Sequence, residues 1–512
     1  MKSVFRYSLL LGIIISSGIF AQTPTKYWVQ FSDKGNSTFT LSSPSAYLSA
    51  RALARRTAHN ILIDSLDIPV TPAYVSGVAA IPNVIVNARS KWLNGVVIFT
   101  SDPNALSAIS ALPYVVSVGN VGLRHGDTTS TKMDVAVKPV DENTMRSGNV
   151  SSTTLDYGAS FNQINMLGGV CLHNAGFRGQ GMQIAIIDAG FYNADQLPIF
   201  DTLFQNGRIL GTWDFVANES SVYEDNAHGS MVLSTMGGNM PGQLVGTAPD
   251  ASFWLLRSED APTENLVEEY YWASAAEFAD SVGADVINSS LGYNQFDDPS
   301  NNHPYADMNG HTTPCSKAVN FAARKGMAVV VSAGNSGQSS WFYIGCPADA
   351  DSALTIAAVD ASANVTGFSS RGSLTLFGHQ KPDEGAQGEA AVICDPFGTG
   401  TQTGNGTSFS SPIMCGLVTC LWQAHPSFTS MQILQEIQQS SNQYAAPDSL
   451  LGYGIPDFCA ANLFLSGNPL DLGNADALYG IGPNPFTDNL SFSFFSMKDQ
   501  QLTITMYDVE GR

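Results

Sequence analysis

Four side chains in this sequence could share one piece of chemistry. Ser408 lies in "GNGTSFSSP" (404–412), among glycines and other hydroxyls. A hydroxyl becomes a nucleophile when a base accepts its proton, so partners must be sought elsewhere in the chain. His228, in "DNAHGSMVLSTMGG", stands just before an apolar run, at the start of an expected helix. That position disfavours a charged imidazolium and leaves a neutral base. Asp188 closes the strand-like run of "IAIIDAGF", where a carboxylate could orient such a base. Asn335 ends "VVVSAGN" in a Gly-flanked turn, where its amide could donate to a developing oxyanion. Each residue alone has a plainer account, as a turn, a cap or an Asx-turn. The weight comes from their joint occurrence, in the order Asp188, His228, Asn335, Ser408, each in its own local frame.

Such residues need a scaffold that brings distant segments together. "QIAIID" (183–188), "ADVINSS" (284–290), "MAVVVSAGN" (327–335) and "ALTIAAVD" (353–360) are near-continuous apolar runs. Runs of that kind are expected of parallel strands buried on both faces. Helical stretches lie between them, as in "ENLVEEYYWASAAEFADSVG" (264–283) and "CSKAVNFAARKG" (315–326). Residues 156–465 are therefore expected to form an α/β domain with a mostly parallel sheet, its functional residues gathered beyond the strands' C-terminal ends. Ahead of it, residues 26–121 read as a small α+β module with strands "KYWVQFSD" and "GVVIFTSD" and a basic helix in "SPSAYLSARALARRTA". Residues 122–155 are expected to be a linker, since 126–152 are rich in Thr, Ser, Asp and Asn with little periodicity. Residues 472–512 alternate apolar and polar side chains, as in an antiparallel β module.

The local frames carry a family resemblance. Asp-x-Gly follows a buried strand, His-Gly-Ser precedes a helix, Ser-Ala-Gly-Asn ends a strand, and Gly-Thr-Ser-x-x-x-Pro opens a helix. In these motifs and their order, residues 156–465 closely resemble the subtilase (subtilisin-like) serine proteases. The resemblance implies a three-layer α/β/α fold and a secreted endopeptidase made as a zymogen, working through an acyl-enzyme. Asp188, His228 and Ser408 would be the catalytic triad and Asn335 the oxyanion-hole side chain. Ser290, Leu291 and Gly292 of "SSLG", with Ala333 and Gly334, would bind substrate. Pro412 is expected in the first turn of the helix after Ser408, and Ser410 and Ser411 as helix packing. Asp-Ala-Gly and His-Gly-Ser depart from the commoner Asp-Ser/Thr-Gly and His-Gly-Thr but leave the triad intact. The partners implied are protein or peptide substrates and the chain's own propeptide, which residues 26–121 resemble. No cofactor is required for the chemistry; a structural calcium is compatible with the family but no EF-hand-like loop places it. The alternative kept open is a catalytically silent surface protein that binds partners on the same fold. An α/β-hydrolase esterase would need G-x-S-x-G and the order Ser…Asp…His, neither of which is present. "GPNPFTDNLSFSF…YDVEGR" resembles part of the C-terminal sorting domain of type IX secretion substrates, which implies that machinery as a further partner.

Charge and cysteine usage narrow the setting. The 512 residues carry a net charge of −21, which argues against nucleic acid as a partner. Residues 22–125 hold eight Lys and Arg against four acids, whereas from Gly126 onward 13 bases face 40 acids. A basic front module and an acidic body attract each other. Residues 1–21 have a positive start (Lys2, Arg6), a short apolar core and small residues up to Ala21, the pattern of a secretory signal. Export to an oxidising compartment allows disulfides, and among the seven cysteines Cys315 and Cys346 are the pair expected to bond. Cys415 and Cys420 read as small core residues.

Overall fold

Seven strands build the sheet that carries the candidate residues. A computed structural model describes residues 25–122, 135–140, 155–466, 477–482 and 491–495. The signal-like segment 1–21 and most of 472–512 lie outside the described residues. In the N-terminal module, β1 (Thr25–Phe31), β2 (Ile85–Ser90), β3 (Gly95–Thr100) and β4 (Val115–Gly122) form an antiparallel sheet in the order β2-β3-β1-β4. Helix α1 (Ala50–Ala58) is capped by Ser49, whose side chain accepts the Ala52 N–H, and is followed in the module by α2 (Pro72–Ala79) and α3 (Pro103–Ser110). The module is thus α+β, with its own apolar core of Val29, Phe31, Val96, Ile98 and Ile109.

The body follows the expected βα alternation. Strands β6 (Gln183–Asp188), β7 (Ile209–Asp214), β8 (Ser252–Arg257), β9 (Val286–Ser289), β10 (Ala328–Ser332), β11 (Ala353–Val359) and β12 (Glu384–Gln387) form one sheet, all pairs parallel, in the order β12-β11-β10-β9-β6-β8-β7. Alternate residues serve opposite layers. Ile184, Ile186, Leu255 and Val330 pack with α4 (His228–Gly237) and α7 (Thr407–Ala424) on one face. Ala185, Ile187, Leu256 and Val329 pack with α5 (Val267–Val282) and α6 (Pro314–Arg324) on the other. Each fully buried Ile, Leu or Val contributes about 1.5–3 kcal/mol of transfer free energy. The fold is therefore α/β with helices on both faces of the sheet.

The N-terminal module sits on α5 and the adjoining end of α6. Arg55, Arg56 and Lys91 converge on Asp280, which is fully buried, while Arg51 pairs with Asp285 and Lys26 with Asp260. One set runs the other way, with Lys325 of the body between Asp64 and Asp67. Burial raises the Asp280 carboxyl, but the charges of Lys91, Arg55 and Arg56 outweigh it and bring it to about 2. Glu277, one turn before Asp280, accepts the N–H groups of Lys91 (2.7 Å) and Trp92 (3.0 Å). Trp28 stacks on Tyr270 at 4.4 Å between ring centroids. Gly283 ends α5 at φ +91°, and a Cβ there would lie 2.8 Å from the Ala52 nitrogen, so the two units meet backbone to backbone at this point.

Two sequence expectations are corrected here. Residues 122–155 are not linker throughout: β5 (Val137–Pro139) joins β13 (Ala391–Cys394) and β14 (Thr401–Gly404) in a three-stranded antiparallel sheet on the body. The disulfide is Cys171–Cys459, not Cys315–Cys346. It ties the short helix Gly169–Asn174 to α9 (Phe458–Leu465), counting α8 (Ser430–Gln439) between α7 and α9. Cys315 and Cys346 are neighbours, but each thiol donates elsewhere, to Glu269 Oε2 and to the Tyr293 carbonyl, both at 3.3 Å. Residues 477–482 and 491–495 pair as an antiparallel hairpin, in line with the alternation read in that region.

Candidate active site

Asp188 is the last residue of β6, and the chain turns immediately because Ala189 donates its N–H back to Asp188 Oδ1 at 2.7 Å. The same oxygen accepts the Nδ1–H of His228 at 2.7 Å. Oδ2 is buried and has no hydrogen-bond partner among the described residues. His228 is the first residue of α4, its backbone N–H held by Asn226 Oδ1 at 2.8 Å. Gly229 must follow, since a Cβ there would lie 2.4 Å from the Gly190 carbonyl. The Asp188 bond fixes the ring tautomer and leaves Nε2 as the free acceptor. The helix terminus alone led to an expectation of a neutral, depressed imidazole. Burial does pull the His228 pKa down, but the charge and hydrogen bond of Asp188, with the charge of Glu259, carry it above its ordinary value.

Ser408 is the second residue of the 18-residue helix α7 and keeps 8% of its surface exposed. Gly406, at φ +155°, turns the chain from β14 into that helix. Pro412 is in the second turn rather than the first, because the helix begins at Thr407. A proline there removes the N–H that would bond the carbonyl four residues back, which is Ser408's own. The Ser290 hydroxyl donates to that carbonyl instead, at 2.9 Å. Asn288 completes the tie: it donates to Ser290 Oγ at 3.3 Å and accepts the Ser411 hydroxyl at 3.0 Å. Ser411 therefore links the helix to β9, beyond the packing role read from the sequence. A side-chain chain from β9 thus replaces one helical bond next to Ser408.

Asn335 follows β10 and points its amide by a reciprocal arrangement. Its Oδ1 accepts both the backbone N–H (2.9 Å) and the hydroxyl (3.0 Å) of Thr407. With the oxygen so occupied, the NH₂ group is the end turned to the cavity. Thr407 Oγ1 also accepts the Gly334 N–H at 3.1 Å, so the residue before Ser408 sets the register of the whole Asn335 turn. Thr407 and Asn288 were not singled out from sequence. Their signal was adjacency alone, Thr407 beside Ser408 and Asn288 opening "NSSLG".

One cavity of about 240 Å³ gathers these groups. His228, Asn335 and Ser408 line it, as do all five residues expected to bind substrate: Ser290, Leu291, Gly292, Ala333 and Gly334. Two short backbone segments, 290–292 and 332–335, which continue from the neighbouring parallel strands β9 and β10, therefore both line it. Val135, Glu259 and Glu264 were not expected from the sequence and line it as well. Tyr293 donates its hydroxyl to Glu259, and burial with that charge raises the phenol well above its ordinary range. Among the described residues, two groups have ligand atoms within 4.8 Å of one another. Glu259, Glu264 and Glu268 offer oxygens only, as calcium prefers, whereas Glu269, Cys315 and Cys346 include two thiols suited to a softer metal. His303 adds an imidazole beside the second group, bonded to Glu269 at 2.6 Å.

Comparison with known proteins agrees with this geometry at the level of family. Residues 179–454 match the subtilase family, and residues 26–134 match the peptidase S8 propeptide domain of Bacteroidota. Subtilisin E of Bacillus subtilis is 28% identical over 304 residues, covering 58% of this chain and 70% of that protein. Subtilisin DY of Bacillus licheniformis is 30% identical over 272 residues, covering 52% and 85% respectively. The thermostable alkaline protease of Halalkalibacterium halodurans is 27% identical over 331 residues, covering 63% and 77%. The protein is thus a peptide-bond hydrolase of the serine endopeptidase class. The chain belongs to the subtilase family, with an S8 propeptide domain ahead of its peptidase domain.

Proposed function

We propose that Asp188, His228 and Ser408 form the catalytic triad of an exported endopeptidase that is made as a zymogen. The observation that carries this is the buried Asp188–His228 bond at 2.7 Å, with His228 lining the same cavity as Ser408 and Asn335. His228 Nε2 takes the Ser408 proton as Oγ attacks the scissile carbonyl, and later returns it to the leaving amine. The developing oxyanion is met by the Asn335 NH₂ group and the Ser408 N–H, one of the donors left open in the first turn of α7. Substrate backbone lies between segments 290–292 and 332–335. The reaction asks nothing of a cofactor, and calcium would serve structure alone. Residues 26–121 act as folding aid and inhibitor, held by the charges around Asp280. Among the described residues no helix is long and apolar enough to cross a membrane. Export rests on the signal-like segment 1–21, and delivery through type IX machinery on the motif at 472–512.

The test is hydrolysis of a denatured protein substrate by the processed protein and its Ser408→Ala variant. Loss of activity with unchanged folding is expected. Full activity in the variant overturns the assignment.

A further inference from the structure

Four metal-ligating side chains meet beside the cavity, and the proposed reaction uses none of them. Glu269 stands in the first turn of α5 and Cys315 is the second residue of α6; both are fully buried. Cys346, also fully buried, lies between β10 and β11, and His303 between β9 and α6. Ligand atoms of Glu269, Cys315 and Cys346 all lie within 4.8 Å of one another. The Cys315 thiol is 3.3 Å from Glu269 Oε2, and His303 Nε2 is 2.6 Å from Glu269 Oε1. Four segments distant in sequence thus bring two sulfurs, a carboxylate and an imidazole to one point.

The surroundings of each group suit a cation. A buried carboxylate needs a compensating charge. Among the described residues the only ion pair of Glu269 is with His303, and no Lys or Arg joins it. Cys315 sits at a helix N-terminus, which favours the thiolate. His303 Nδ1 faces Asp307 Oδ2 at 3.3 Å, the outer-sphere bond that holds a metal-bound imidazole and leaves Nε2 to the metal. The other free cysteines, Cys394, Cys415 and Cys420, lie apart from this group, in the apolar core across the sheet.

We propose that Cys315, Cys346, Glu269 and His303 bind one zinc ion. Two sulfurs with an imidazole and a carboxylate match the four-coordinate preference of zinc, whereas calcium takes oxygens. Two sulfurs bonded to one zinc at about 2.3 Å stand about 3.8 Å apart, so donors within 4.8 Å close on the ion by a small movement. On binding, both thiol protons and the proton between His303 and Glu269 pass to solvent, which leaves two thiolates and a neutral imidazole. Four protein ligands close the coordination sphere, so the ion is structural. Its place gives it a task. Cys346 exchanges backbone bonds with Tyr293 at 2.7 and 3.2 Å, and Tyr293 and Gly345 line the cavity. The ion ties that wall of the cavity to the starts of α5 and α6. The site is independent of the assignment of Ser408.

The experiment takes the full chain produced with zinc, measures metal per chain after dialysis by elemental analysis, and replaces zinc with cobalt(II). Thiolate-to-cobalt charge-transfer absorption reports ligation by sulfur. Wild type should retain one zinc per chain, and the cobalt bands should saturate at one equivalent. Cys315→Ser should lower zinc affinity by more than the about 10- to 100-fold that loss of an outer-sphere partner costs, while Cys394→Ser should bind as wild type does. A wild type that retains no zinc and shows no cobalt–thiolate bands overturns the proposal. So does a Cys315–Cys346 disulfide in peptide maps of the unreduced protein, or bands of equal strength in a folded Cys315→Ser. Should that variant not fold, the zinc content and cobalt spectrum of the wild type decide alone.

Discussion

Replacing Arg55 by Met in the N-terminal module should cripple inhibition of the mature enzyme. The Arg55 guanidinium is wedged between the ends of α5 and α6, 6% exposed as a residue. It donates to Asp280 Oδ1 at 2.7 Å, to the Lys325 carbonyl at 3.1 Å, and to the carbonyls of Asp280 and Ala284. Met keeps most of the volume but removes the charge and all of these donors, leaving Asp280 with Arg56 and Lys91 only. Breaking a buried pair from one side costs about 3–5 kcal/mol. At about 1.4 kcal/mol per decade, the inhibition constant should rise by roughly 10² to 10⁴. Arg51→Met is the internal comparison, because its side chain is 37% exposed and its pair with Asp285 is partly solvated. Such a pair is worth about 1 kcal/mol or less, a factor of about five. The assay titrates residues 26–122 and each variant against the processed enzyme with a peptide substrate. Equal losses for Arg55→Met and Arg51→Met, or no loss for Arg55→Met, would refute the reasoning from burial.

Three further outcomes follow from the site. His228 must be neutral to accept a proton, and its pKa is raised, so kcat/KM should fall as pH drops through a value above the ordinary imidazole range; Glu259→Gln should move that limb to lower pH, measured as a pH–rate profile. Thr407→Val removes one of the two bonds that aim Asn335 and the acceptor of the Gly334 N–H, and should lower kcat by about 5- to 100-fold with KM little changed, the worth of two hydrogen bonds. Replacing Cys171 and Cys459 together by Ala should lower stability by about 2–4 kcal/mol in denaturant unfolding, since the bridge joins segments 288 residues apart.

The body of the fold was legible because its strands are unambiguous. Segments such as "QIAIID" and "MAVVVSAGN" are apolar on both faces, and only a sheet covered on both sides accommodates them. The site was legible for a related reason: Asp188 and Asn335 stand at the ends of such runs, and His228 and Ser408 at helix starts. What escaped was pairing between distant segments. Val137–Pro139 is three residues long, contains a proline and finds its partner more than 260 residues later, so no local periodicity marks it. Cys171 and Cys459 are as far apart, and spacing does not reveal connectivity. Pro412 was misplaced by a turn because the sequence does not say where α7 begins. The answer, Thr407, is set by its bonds to Asn335 and not by any cap in α7 itself. The pKa of His228 likewise depends on Asp188 and Glu259, neither of which is its neighbour in sequence.

The most direct test of the central claim is to map a fluorophosphonate adduct on the processed enzyme by peptide mass spectrometry, beside His228→Ala. A single adduct on Ser408, lost or greatly slowed in His228→Ala, is the predicted result. An adduct on another serine, or labelling of Ser408 at the same rate without His228, would contradict it.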